Sequence, residues 1–191
     1  MIGTVFDFLK DGLNAYLDLV SGAHPDGAAG AWVVFPDGTH ADAEAFKLGA
    51  VSALLINVEE EKILRPADRY VGRSNGGTQA VQPEVRLNLY ILFVARFGNY
   101  AEGLNHLSGV IQYFQGHRVF DHLNAPALTE DVAQLTMELV TLPLAEQSEV
   151  WKALRSMYYP SVLYKVRMVV FQGDGDPVTG RITEKAIAAM P

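Results

Sequence analysis

Between Arg86 and Gln115 the chain reads RLNLYILFVARFGNYAEGLNHLSGVIQYFQ, a long apolar strand running directly into an amphipathic helix. Val85, Leu87, Leu89, Ile91 and Phe93 share one face of the strand spanning 84–97, while Arg86, Asn88 and Tyr90 share the other, so its first half is one-sided. Beyond Tyr90 the second face turns apolar as well, through Leu92 and Val94. That half of the strand must be covered on both sides, by helices or by a neighbouring subunit.

The helix that follows has a defined start. Asn99 can accept the first free backbone amides and Glu102 can answer it, a variant of the capping box. Tyr100, Leu104, Leu107, Ile111 and Phe114 form one stripe that is predicted to be core, and Gly116 is predicted to supply a left-handed stop. Before this block, Ile2, Val5, Phe6, Leu9, Leu13, Leu17 and Val20 recur at helical spacing, which predicts a first helix ending near Gly22. The segment 23–49 reads as loop apart from a strand over 31–35, and 51–58 reads as a buried strand.

After the central block, Leu135, Met137 and Leu139 alternate with Thr136 and Glu138 as in a half-buried strand. A short helix carries Glu146 and Glu149 toward its start and Lys152 and Arg155 toward its end, with Val150, Trp151, Leu154 and Met157 as its buried side. Pro160 breaks it, and 161–171 is a strand with Tyr164, Val166, Met168 and Val170 on one face. The order helix, strands, helix, strand, helix, strand predicts a single α+β domain, a mainly antiparallel sheet covered by about three helices. It occupies residues 1–172, with 173–191 as a flexible tail or arm.

With 191 residues the chain is long enough for one ordinary core. It has no cysteine, which excludes disulfides, thiolate nucleophiles and cysteine-ligated zinc. Its 15 Lys and Arg against 22 Asp and Glu give a net charge of -7, so no nucleic-acid partner is expected. The N-terminus lacks a basic n-region and the longest apolar run elsewhere is too short to span a bilayer, so no membrane is expected either.

The connection EEEKILRPADRYVGRSNGGTQAVQP over 59–83 is too long for an ordinary hairpin loop. Arg65, Arg69 and Arg73 recur every fourth residue and would line one face of a helix, where they could meet an acidic partner. The connection is expected to be mobile in the free chain and to order only against a partner.

An enzyme reading finds little to build on. His106 falls on the polar side of its helix. His117 and His122 flank RVFD and could join Asp121 in a small hydrolase-like site, but a third positioned group is missing. No HExxH, GxGxxG or GxxxxGK[ST] is present, and Asp174 and Asp176 lack the other ligands of a calcium loop. No cofactor, metal or catalytic residue is expected.

The segments LINVEEEKILR, LNLYILFVARFGNYAEGLNHLSGVIQYFQ and YYPSVLYKVRMVV resemble, in the same order, segments of the tail-terminator or cap proteins of extracellular contractile injection systems. The resemblance runs from about Ile2 through Phe171 and departs at Tyr159 and over 23–49. It implies a non-enzymatic chain that forms a homohexameric ring on the last layer of inner tube and contractile sheath, stops their polymerisation and fixes particle length. The implied partners are further copies of itself, the inner tube protein and the sheath protein. Assembly would be cytoplasmic, in a phage-tail-like particle that is either released or kept in the producing cell. A neck or baseplate adaptor of the same kind of particle is the alternative role. The candidate contact residues are Glu59, Glu60, Glu61, Arg65, Arg69, Arg73, Lys165 and Arg167, together with the tail.

Overall fold

The apolar strand at the centre of the sequence becomes the centre of the fold. The computed structural model describes residues 1–22, 24–25, 30–36, 46–61, 70–72, 78–80 and 86–170. In chain order it contains α1 (Ile2–Ser21), β1 (Val33–Val34), β2 (Ala50–Glu60), β3 (Tyr70–Gly72), β4 (Thr78–Ala80), β5 (Arg86–Arg96), α2 (Tyr100–Gly116), β6 (Val119–Asp121), β7 (Val132–Val140), α3 (Leu144–Ala153) and β8 (Ser161–Val170). A mixed six-stranded sheet runs in the order β1-β2-β5-β8-β7-β6. Only β1 and β2 pair in parallel; every other neighbouring pair is antiparallel. The short strands β3 and β4 form a separate antiparallel ladder.

One face of the sheet carries the main core. Leu89, Ile91 and Phe93 of β5 pack there with Leu135, Met137, Tyr164, Val166 and Met168 from the strands beside it. Helix α1 covers this face through Val5, Leu9, Leu13 and Leu17, one side chain per turn, and ends at Gly22, whose φ of 81° only glycine adopts freely. Helix α2 lies against α1 at a distance that two glycines set. A Cβ on Gly109 would stand 2.7 Å from Leu17 Cδ2, and one on Gly12 would strike the Tyr113 hydroxyl.

That close approach rotates α2 away from the expected stripe. The buried residues are Gly103, His106, Leu107, Gly109, Val110, Tyr113 and Phe114, while Tyr100 and Leu104 are exposed. His106 is therefore not on a polar side. It is buried between Trp32 and Phe97, with ring centroids 4.4 Å and 4.6 Å away, and one ring nitrogen lies 2.9 Å from the Glu102 carbonyl. The expected cap at Asn99 forms, its side chain accepting the Ala101 N–H at 3.0 Å. The left-handed stop at Gly116 does not: the helix includes Gly116 and ends at His117 with φ −122°.

The second face is covered only in part. Leu92, Val94 and Leu163 form a smaller core with Phe46 and Trp151, closed by α3. The double covering expected beyond Tyr90 is thus supplied by this chain's own helices. Arg96 fixes Phe46 by donating to its carbonyl at 2.7 Å. Met157, expected on the buried side of α3, lies beyond the helix end and is exposed. Leu139 is likewise half out in solvent, because β6 and its turn leave that end of β7 uncovered.

Both outer strands end against an asparagine. Asn14 of α1 donates to the Val33 carbonyl at 3.0 Å and accepts its N–H at 2.8 Å. Asn124 donates to the Val119 carbonyl at 3.0 Å and accepts the Asp121 N–H at 3.1 Å. Each amide stands in for the next strand and removes the template that an open edge presents. Gly109→Val is expected to cost about 1–3 kcal/mol by overpacking the α1–α2 contact, read as a lower urea midpoint at unchanged m value. Asn124→Ala is expected to cost about 0.5–1.5 kcal/mol and to raise self-association in light scattering, since it reopens the β6 edge.

Candidate functional site

The half of the second face that α3 leaves uncovered is polar. A β-bulge makes it so. Strand β2 slips register against β5 between Leu55 and Asn57, leaving Ile56 as the extra residue. Before the bulge, even-numbered Ser52 and Leu54 share a face with Val94 and Leu92; after it, odd-numbered Asn57 and Glu59 lie beside Tyr90 and Asn88. One extra residue moves every later side chain to the other face.

The pairings then line up in two rows across the sheet. Asn57, Tyr90, Lys165 and Glu138 make one, and Glu59, Asn88, Arg167 and Thr136 the next. Within this surface Tyr90 donates its hydroxyl to Glu59 at 2.9 Å, and Asn57 donates to the other oxygen of the same carboxylate at 3.2 Å. Asn88 reaches Glu61 at 3.3 Å. Lys165 Nζ stands 5.8 Å from the centroid of the Tyr90 ring. Arg167 Nη2 lies 3.0 Å and 3.1 Å from the two oxygens of Glu138. Burial first, and then the hydrogen bond to the Glu59 carboxylate, hold the Tyr90 hydroxyl above its usual pKa. Tyr90 is therefore a neutral donor at physiological pH.

Four of the residues expected at an interface are thus brought together: Glu59, Glu61, Lys165 and Arg167. Glu60 is not among them, since it pairs with Leu87 and belongs to the opposite face. Glu59 and Glu60 are strand residues, not part of a loop, and the Glu61 N–H continues the ladder to the Arg86 carbonyl at 2.8 Å. Arg65, Arg69 and Arg73 and the tail 173–191 lie outside the described residues. A helix from 65 to 73 does not form, because Tyr70–Gly72 is strand. The expected ordering of the connection against a partner falls mainly on residues outside the described ones. Tyr90, Asn88, Asn57 and Glu138 complete the surface and were not legible in the sequence, since only the strand pairing and the bulge place them side by side.

Where β2 passes beneath α3, the polar half gives way to an apolar groove of 490 Å³. Leu54, Ile56, Leu142, Val150, Leu154 and Leu163 line it, and Glu59 and Tyr90 stand at its polar end.

The histidines serve the fold. His117 stacks on Tyr113 at 4.6 Å, and one of its ring nitrogens lies 3.0 Å from the Tyr113 carbonyl. Asp121 accepts the N–H groups of Leu123 and Asn124 at 2.9 Å and 3.0 Å, so its carboxylate is engaged in a turn. Among the described residues no group of three or more His, Cys, Asp or Glu could hold a metal ion, and no helix is long and apolar enough to cross a membrane. What the surface offers is complementary charge on a flat sheet, chemistry suited to binding another macromolecule.

The fold is similar to two solved structures. One is the sheath/tube terminator of an extracellular contractile injection system, PVC, in its extended state, with TM-score 0.59 and 17% identity over 100% of this chain and 63% of that one. The other is the tube-terminating cap of the anti-feeding prophage, with TM-score 0.58 and 15% identity over 97% of this chain and 60% of that one. The chain therefore spans less than two thirds of the length of either. No curated protein matches the sequence. A family match extends over residues 4–185, nearly the whole chain, and by it this protein belongs to the Pvc16 N-terminal domain family.

Proposed function

We propose that this chain is the terminator domain of a contractile injection particle, a non-enzymatic cap that ends the growth of inner tube and sheath and so fixes particle length. The observation that carries the reading is the fold likeness to a sheath/tube terminator across the full chain. In this reading copies of the chain close into a homohexameric ring in the cytoplasm of the producing cell. One side of the ring docks on the last tube and sheath layer. Residues 1–172 form the ring domain and 173–191 an arm outside it.

The layout of the sheet supports a binding role. A terminator must match the exposed end of a growing stack on one surface and offer nothing like it on the other. The charged half-face of Glu59, Lys165, Arg167 and Glu138 is a surface of the first kind, and the closed edges at Asn14 and Asn124 serve the second requirement. We assign that half-face to the contact with the tube and sheath.

Two experiments test this. Electron micrographs of particles from the cognate gene cluster are expected to show overlong tubes of broad length distribution when the chain is absent. Unchanged, uniform lengths would remove the terminator role, and a complete loss of particles would place the chain in the baseplate instead. Reversing both cations, with Lys165→Glu and Arg167→Glu, is expected to leave the urea midpoint within about 1 kcal/mol of the parent, since exposed pairs contribute little to folding. It should nonetheless weaken docking onto purified tubes, and raising ionic strength should weaken the parent in the same way. Docking that ignores salt would rule out the charged half-face as the contact.

A further inference from the structure

The turn after β6 is held more firmly than a surface turn requires. Asp121 accepts the N–H groups of Leu123 and Asn124 at 2.9 Å and 3.0 Å, the Ala125 N–H donates to the Asp121 carbonyl at 2.8 Å, and Asn124 ties the same turn to both ends of β6. The tip so fixed is apolar: Leu123 is 94% exposed. A single exposed leucine is ordinary. One presented on a pinned turn has already lost the backbone freedom that docking would otherwise remove.

A receptor for such a knob exists on the same molecule. The apolar groove of 490 Å³ between β2 and α3 lies toward the other side of the sheet, since β2 stands near one end of the strand order and β6 at the opposite end. A ring closes only through a heterologous contact, in which one patch of a copy meets a different patch of the next. The charges agree with this pairing. Arg118 and His122 flank the turn region, the Asp121 carboxylate is taken up by two N–H groups, and Glu59 stands at the end of the groove.

We propose that Leu123 of one copy seats in the β2–α3 groove of the next copy and that this contact closes the ring. The proposal rests on the ring reading given above and deepens it by naming the two patches. Because the chain contains no cysteine, the contact can be trapped without background. Particles carrying Leu123→Cys together with Val150→Cys, oxidised and run without reductant, are expected to give a ladder of covalent oligomers of this chain, while either single substitution gives no ladder beyond a dimer. Only monomer from the double variant, in particles of normal length, would overturn the contact and leave the terminator reading in place. Leu123→Asp provides a second arm that cannot disturb the fold, since the side chain is exposed. It is expected to weaken the copy-to-copy contact about ten-fold or more and to broaden particle length. Parental lengths with Leu123→Asp would overturn the contact, whereas failure of the terminator reading itself shows as uniform lengths when the whole chain is missing.

Discussion

The two halves of β5 differ in character, and the layout of the molecule follows from that difference. From Leu89 to Ala95 the strand is buried on every face it presents, so it needs α1 and α2 on one side and α3 with Phe46 on the other. Toward Arg86 the second face carries Asn88 and Tyr90, which no apolar helix could cover without stranding their polar groups. The sheet is therefore roofed over one half and open over the other. The neighbouring strands follow suit, with Leu163 beside Leu92 under the roof and Lys165 and Arg167 beside Tyr90 and Asn88 in the open.

The open half brings five ionised groups and a tyrosine onto one plane, where each is engaged by a neighbour across the strands. No nucleophile–base pair points into a sheltered space there. The arrangement resembles the rim of an interface, in which charge sets register and partner choice more than affinity. The apolar groove alongside supplies what the charged area lacks, a place where burying a hydrocarbon side chain contributes binding energy.

Much of this was legible beforehand, and the exceptions have definite causes. Helix α1 and strands β5 and β8 announce themselves by strict periodicity, and the double covering of β5 follows from Leu92 and Val94 alone. Helix α2 misleads because hydrophobic counting favours Tyr100 and Leu104, whereas the real contact is made through Gly103 and Gly109, residues that carry no hydrophobic signal but permit close approach to α1. His106 enters the core for a related reason, as a flat ring between two others. The bulge at Ile56 leaves no mark in the alternation of β2, yet it decides that Glu59 and not Glu60 joins Lys165 and Arg167. Strand β6 is three residues long, too short for any periodicity to show.

The asparagines that finish the sheet at Asn14 and Asn124 have a chemical consequence. Each uses both halves of its amide, the NH₂ toward a carbonyl and the oxygen toward an N–H. Aspartate keeps the acceptor but loses the donor, and it sets a negative charge against a backbone oxygen. Slow hydrolysis of either amide during storage would therefore convert a sealed border of the sheet into a repelling one without altering a single apolar contact. The shelf life of the folded chain is set in part by how well its own packing shields these two side chains from water.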